Sequence, residues 1–402
     1  MKKQLYGQMS LFDSAPRANI SDTGVHDLKR LQELQALPLD RKIMITQTRI
    51  IEWYTRWKGQ VYVSFSGGKD STVLLHIARQ CFPDIEAVFV NTGLEYPELR
   101  KFVKSFDNVT ILHPELRFDE VIKKYGYPVI SKVVSEAIFQ TRRNMKLGNT
   151  DTVRYKQLHG EYMTADGTQK SLYNKSKYKP LLYSDIPISS MCCDIMKKMP
   201  TKKYGRQTGK YPILAQLAEE SRKRTDGWIN SGCNGFHLKY PQSNPMAFWK
   251  EQDILEYISR YNLPIAPVYG DVVLSEDGCE YCTTGCNRTG CIFCAYGAHL
   301  EKESRFLRLK ETHPRQYEYC IGGGEYGWIG WIVKNARWKF IDFVNEDGPM
   351  PPEEIEEFIN EHKDDENYVF ERVWMPNKQG LGMGHVFDEI NKIYGEKFIR
   401  YK

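Results

Sequence analysis

The stretch Ser64-Phe65-Ser66-Gly67-Gly68-Lys69-Asp70-Ser71 lies directly between an apolar run, Gln60-Val61-Tyr62-Val63, and the helix-patterned Thr72-Val73-Leu74-Leu75-His76-Ile77-Ala78. The order is a strand, a glycine turn and a helix start. Two glycines let backbone N–H groups turn inward on an anion, and the helix N-terminus behind them adds partial positive charge. The loop is therefore built to hold a phosphate or pyrophosphate. Lys69 and the hydroxyls of Ser66 and Ser71 supply further donors.

Strand and helix patterns continue past the loop. A helix pattern from about Asp40 to Trp57 leads into it, and a second buried strand, Ile85-Glu86-Ala87-Val88-Phe89-Val90, follows. Next come a helix from Pro97 to Phe106, a strand over Val109 to Leu112 and a helix around Phe118 to Tyr125. Strands alternating with helices of this length imply an α/β fold with a doubly wound, mainly parallel sheet. Ligands in such folds sit at the carboxyl ends of strands, where both Ser66 and the turn Asn91-Thr92-Gly93 fall.

The chain has 402 residues, which suits two domains. The expected division is a flexible tail over 1–39, a nucleotide-binding domain over 40–270 with an insertion at about 130–190, and a cysteine-containing C-terminal domain over 271–402. From Ala295 the chain reads as helical and aromatic, with Trp328, Trp331, Trp338, Phe340 and Phe343 and a helix from Pro352 to His362. A net charge of +5, densest from Lys197 to Arg224, favours anionic ligands. With no run of eighteen apolar residues and no apolar stretch behind Lys2-Lys3, the chain reads as cytoplasmic and without a membrane span.

Ten cysteines in a cytoplasmic chain point to metal or redox chemistry rather than disulfides, and five of them fall between Cys279 and Cys294. Adjacent Cys192-Cys193 and the distant Cys291-Ile292-Phe293-Cys294 can supply four thiolates to one centre, a 4Fe-4S cluster or a zinc ion. Adjacent cysteines suit the larger cluster better. Cys279, Cys282 and Cys286 are left to carry persulfide, to ligate zinc or to replace Cys192 and Cys193, and Cys286 is the thiol assigned to catalysis beside Lys69 and Asp70.

The spacing around Gly67 is neither a Walker A loop, which needs four residues between its first glycine and Gly-Lys-Ser/Thr, nor GxGxxG. It resembles the SGGxDS loop of the PP-loop enzymes, which handle an adenine nucleotide at its α-phosphate. Cys192-Cys193-Asp194-Ile195-Met196-Lys197, with Cys291 and Cys294 about a hundred residues on, is similar to the cluster-binding pattern of adenylylsulfate (APS) reductases in the phosphoadenylylsulfate (PAPS) reductase family. Asn91 to Glu98, Glu220 to Arg224 and Trp249 to Tyr269 also resemble that family, over residues 40 to 300. The resemblance implies that Ser66 to Ser71, Asn91, Thr92 and Gly93 hold an adenine nucleotide, ATP, APS or PAPS, with Mg2+ beside it. It further implies that Ser221 and Arg224 face its phosphate or sulfate end and that Lys197 lies near the cluster.

Reductases of this family carry a catalytic cysteine in a C-terminal Glu-Cys-Gly-x-His segment, whereas the last residues here are Tyr394-Gly395-Glu396-Lys397-Phe398-Ile399-Arg400-Tyr401-Lys402. Cys320 is the nearest C-terminal thiol. The layout is also similar to DNA phosphorothioation sulfurtransferases. Gln8-Met9-Ser10-Leu11-Phe12 resembles the peptide by which repair proteins dock on the DNA sliding clamp, two apolar anchors with a glutamine setting the register.

Three functions follow as expectations. One is ATP-dependent sulfur transfer, with nucleic acid as an acceptor. The second is reduction of APS or PAPS to sulfite with a thiol reductant, and the third is a nucleotide- or redox-sensing subunit on DNA. Sulfur donor, acceptor and oligomeric state are not legible in the chain.

Overall fold

The computed structural model describes residues 26–171, 173–323, 325–334, 337–342, 344–345, 348–349, 352–365, 368–375 and 380–402. The clamp-like peptide Gln8-Phe12 lies outside the described residues. Helices α1 (Leu28–Gln35) and α2 (Leu39–Arg56) precede strand β1 (Val61–Ser64), and helix α3 (Lys69–Cys81) follows it. Strand β2 (Ala87–Val90), helix α4 (Pro97–Lys104) and strand β3 (Val109–Leu112) complete the first alternation. Strand β4 is Val129–Ile130, β5 is Tyr211–Ile213, β6 is Asn234–Gly235 and β7 is Gln242–Ser243.

The chain forms two compact units, one made of the residues up to Pro114 with Lys198–Cys291, the other of Glu115–Lys197 with Ile292–Lys402. The first is built on a six-stranded sheet in the order β3-β2-β1-β5-β7-β6. Only the β6–β7 pairing is antiparallel. Val61, Tyr62 and Val63 are all buried because helices cover both faces of a parallel sheet, which is why the strand reads as a continuous apolar run rather than an alternation. Register sets Val63 beside Ala87 on one side and Ile213 on the other.

Helix α2 is fixed by buried polar contacts that need remote partners. Lys42 Nζ, 1% exposed as a residue, reaches Asp253 Oδ2 at 2.6 Å, and Trp249 Nε1 donates to Thr46 Oγ1 at 2.9 Å. Each satisfies a donor that burial would otherwise penalise by about 1–3 kcal/mol.

In the second unit β4 pairs in parallel with Ala295–Tyr296, and the Tyr127 hydroxyl donates to the carbonyl of Leu381 at 2.8 Å. Helices Lys132–Lys146 and Val153–His159 occupy the helix-leaning stretch that the sequence marks as an insertion. Arg142 pins the turn after them by donating to the carbonyls of Leu181 at 2.6 Å and Leu182 at 3.0 Å. Its core gathers Cys320, Leu381, Val386, Phe387 and Ile390.

Three expectations change. The division does not fall at 271: residues 271–291 pack with the first unit, where Gln252 Nε2 donates to the carbonyl of Tyr281, and the segment 115–197 joins 292–402 through the β4 pairing. The tail does not extend to residue 39, since α1 begins at Leu28 behind an Asp27 cap and buries Leu31. After Ala295 the chain is helical over Arg305–Thr312, Pro314–Ile321, Pro352–His362 and Met383–Tyr394, as expected, but its aromatic stretch around Trp331 is a strand region. Glu325–Lys334 pairs antiparallel with Arg337–Asp342 and with Tyr368–Met375, the last of which follows the helix Pro352–His362. Its β-branched and aromatic residues favour a pleated surface over a helix. Among the described residues no helix is long and apolar enough to cross a membrane.

Candidate functional site

Sheet order reverses between β1 and β5, and the loops that follow these two strands meet at their carboxyl ends. Such a switch point leaves a crevice outside the sheet. Here it is a cavity of ≈ 270 Å³ lined by Lys69 and Asp70 from the β1 loop, Leu217, Glu219 and Glu220 from the β5 loop, and Glu251 and Arg288 from later segments.

The loop is held open by its own hydroxyls. Ser71 Oγ accepts from the Ser66 N–H at 3.2 Å and donates to the Gly68 carbonyl at 2.9 Å, while the Gly68 N–H donates to Ser66 Oγ at 3.3 Å. Gly67 has φ +75°, and a Cβ there would come within 2.6 Å of Val103 and 2.7 Å of Leu99 on α4. That position needs glycine for both conformation and space. The Lys69 N–H, at the first turn of α3, donates to the hydroxyl of Tyr269 at 3.2 Å, and that hydroxyl meets Thr289 Oγ1 at 2.5 Å.

Lys69 Nζ lies 2.9 Å from Glu251 Oε1 and 3.6 Å from Asp70 Oδ1. Burial works against its charge, but Asp70 and the hydrogen bond to Glu251 outweigh it and hold its pKa above the ordinary value. Asp70 is pushed up mainly by burial, with Lys69 opposing, Glu251 adding and Arg288 opposing. Asp70 Oδ1 has no hydrogen-bond partner.

The second strand end is ordered by its own side chains. Thr92 donates from its N–H and its hydroxyl to Glu95, and the Gly93 N–H donates to Asn91 Oδ1 at 3.2 Å. Ser221 precedes the helix Arg222–Ser231, and its carbonyl accepts from the Arg224 N–H at 2.8 Å. Arg224 pairs with Glu220, as does Arg288. Burial, then the charge of Arg288, lowers the Arg224 pKa while Asp70 raises it, so all three share one electrostatic neighbourhood.

The cysteines divide between the units. Cys279, Cys282, Cys286 and Cys291 belong to the first and Cys192, Cys193 and Cys294 to the second. Cys192 and Cys193 sulfurs are 4.0 Å apart. The Cys193 thiol is pulled down to about 6 by the hydrogen bond from Cys192, with Lys132 and Lys197 assisting against burial. Cys192, Cys193 and Cys294 all act on the Tyr296 hydroxyl, whose pKa rises through burial first and these thiols next. An acidified thiol among lysines is the donor chemistry of a cluster ligand. Among the described residues no three or more His, Cys, Asp or Glu side chains form a group arranged for a metal ion. Cys286 is buried, with its N–H given to the Val268 carbonyl at 2.9 Å, while Cys279 and Cys282 are exposed. Cys320 is fully buried and burial drives its thiol pKa up, which disfavours the thiolate a nucleophile needs.

The structure adds Glu219, Glu220, Glu251, Tyr269, Arg288 and Thr289 to the site. Glu220, Glu251 and Tyr269 fall in family-like stretches of the sequence but carry no motif of their own.

A family model described as the phosphoadenosine phosphosulfate reductase domain matches residues 60–131 and 139–295. An adenosine 5'-phosphosulfate reductase of Bacillus mycoides (strain KBAB4) is 24% identical over 242 residues, 58% of this chain and 78% of that protein. One of Bacillus cereus is 25% identical over 242 residues, with the same 58% and 78% coverage. An uncharacterized protein of Methanocaldococcus jannaschii is 35% identical over 86 residues, 20% of this chain and 21% of its own. Among solved structures, a phosphoadenylyl-sulfate reductase from Candida auris, in a phosphate complex, has a TM-score of 0.31 at 12% identity, covering 60% of this chain and 90% of that one. Matched over more than half of its length, the chain belongs to the phosphoadenosine phosphosulfate reductase domain family.

Proposed function

We propose that this family member is an ATP-using sulfurtransferase. One observation carries the reading: the cysteine-bearing segment is tied to the nucleotide loop, because Thr289, between Cys286 and Cys291, meets the Tyr269 hydroxyl that accepts the Lys69 N–H. Cys286 and the nucleotide loop then share one unit.

An acceptor oxygen attacks the α-phosphorus of ATP, the bond to the bridging oxygen breaks, and pyrophosphate leaves with the electron pair. Lys69 stabilises charge on the phosphates, and the loop N–H groups and the α3 N-terminus orient them. Asp70, beside Lys69, suits a metal-bridged phosphate such as Mg2+-ATP. The terminal sulfur of a Cys286 persulfide next displaces AMP, leaving a disulfide to the product that a thiol reductant cleaves. The acceptor fits nucleic acid, toward which the basic stretch Lys197 to Arg224 and the Gln8-Phe12 peptide also point, the latter through a sliding clamp. Cys192, Cys193, Cys291 and Cys294 are the residues for a 4Fe-4S cluster, supported by the acidified Cys193. When bound, such a cluster supplies electron storage or a sulfide.

A second reading, reduction of APS or PAPS to sulfite, is favoured by the names of the Bacillus relatives. It requires a thiol from a partner, since Cys320 is sealed in the core.

Pyrophosphate release from ATP by anaerobically purified protein, with and without duplex DNA and beside Asp70→Ala, tests the first reading. Release above that control supports sulfur transfer. Sulfite formed from APS or PAPS, without pyrophosphate release from ATP, moves the assignment to the reductase. Saturable nucleotide binding with neither product leaves a sensing subunit.

A further inference from the structure

One wall of the nucleotide cavity comes from the loop Asn287-Arg288-Thr289-Gly290, between Cys286 and Cys291, which no phosphate-binding motif marks. We infer that Arg288 is an anion-binding residue of this site, exchanging Glu220 for a phosphate oxygen when nucleotide enters. The inference rests on the nucleotide-binding reading above.

Charge balance is the first argument. The cavity walls carry Asp70, Glu219, Glu220 and Glu251 against Lys69 and Arg288. Each cation is already held by a carboxylate, Lys69 by Glu251 and Arg288 by Glu220. Glu220 also holds Arg224 and accepts the Leu217 N–H at 3.2 Å. A polyphosphate cannot occupy walls this acidic unless the cations turn from carboxylate to phosphate. A guanidinium makes that exchange readily, because its fork fits carboxylate and phosphate oxygens alike.

Placement is the second. The Arg288 side chain lines the cavity and is 63% exposed. Its loop is registered to the phosphate loop rather than hanging beside it: the Gly285 N–H donates to the Tyr269 carbonyl and the Cys286 N–H to the Val268 carbonyl, both at 2.9 Å. A Cβ on Gly285 would come within 2.5 Å of the Val268 carbonyl, so the two segments pack backbone to backbone. Thr289 then fixes the far side through Tyr269. The segment between the two cysteines therefore brings Arg288 to the nucleotide directly.

Calorimetric titration of the full chain with ATP and with inorganic pyrophosphate tests this, using wild type, Arg288→Ala, Glu220→Gln and Lys69→Ala. Arg288→Ala should weaken both ligands at least about tenfold, the loss expected for one charge-assisted contact. Glu220→Gln keeps an acceptor for Leu217 but removes the competing charge, so it should bind both ligands more tightly than wild type, a gain that misfolding cannot produce. If Arg288→Ala and Glu220→Gln both bind like wild type while Lys69→Ala does not, the role of Arg288 is overturned and the nucleotide site stands. If wild type binds neither ligand, the nucleotide reading falls with it.

Discussion

The backbone N–H of Lys69 donates to the hydroxyl of Tyr269, 200 residues later in the chain, at 3.2 Å. That N–H belongs to the first turn of α3, where helix donors lack intrahelical partners and are the groups a phosphate would engage. The unliganded loop is thus kept satisfied by a hydroxyl that itself leans on Thr289.

Tyr269→Phe should remove this link while keeping the ring that fills the space. Losing the acceptor of one buried backbone donor costs about 1–3 kcal/mol. Urea unfolding without nucleotide should show that loss, and adding ATP should shrink the gap, since phosphate then satisfies the same N–H. An unchanged midpoint would mean that the hydroxyl does not hold the loop.

Gly67→Ala should be among the costlier single changes in the first unit. The left-handed backbone at φ +75° costs a Cβ-bearing residue about 1–2 kcal/mol, and the new methyl would press on Val103 and Leu99. Displacing α4 adds an overpacking cost of about 1–3 kcal/mol. Chemical denaturation measures the sum. Gly93→Ala is the internal comparison: its φ is +78° but its added Cβ meets nothing within 4 Å, so it should cost less.

What the sequence revealed and what it hid have physical reasons. The runs Val61-Tyr62-Val63 and Ala87-Val88-Phe89-Val90 are legible because strands buried on both faces are apolar throughout, and the glycines at 67 and 68 punctuate them. β6 and β7 are two residues each, too short for any period. The aromatic stretch around Trp331 reads as helical in the sequence because a short apolar run fits helix as well as strand, and the antiparallel pairing with Tyr368–Met375 overturns that reading. In the site, Lys69 and Asp70 belong to a contiguous motif. Glu251 and Tyr269 lie in a family-like stretch without a phosphate-binding motif of their own and Arg288 lies outside any such stretch, so all three reach the loop only by tertiary folding.

Cys320 should be a structural thiol. It is fully buried, in the same unit's core as Leu381 and Phe387, and burial raises its pKa, so it stays protonated and inaccessible in the native state. Alkylation followed by peptide mass mapping should label the exposed Cys279 and Cys282 first and Cys320 only after unfolding. Cys320→Ala should keep turnover while lowering stability through the small cavity left behind. Loss of sulfite or pyrophosphate production in a folded Cys320→Ala protein would reinstate it as a nucleophile.

Asp70 sets a pH dependence whose sign follows from its surroundings. Burial raises its folded pKa above the ordinary 3.8. Between 3.8 and the raised value the native state therefore binds more protons at this site than the unfolded chain does. Stability must then fall as pH rises through that window, the reverse of the usual salt-bridged carboxylate. Asp70→Asn removes the titrating group, so the variant should lose this decline and be more stable than wild type on its alkaline side, without nucleotide. The same substitution should abolish nucleotide turnover, because the charge that destabilises the empty site is the one available to the metal–phosphate complex. Paired urea titrations of wild type and Asp70→Asn from acid to neutral pH read the effect. Parallel stability profiles would show that Asp70 is no more strained in the folded protein than in the unfolded chain.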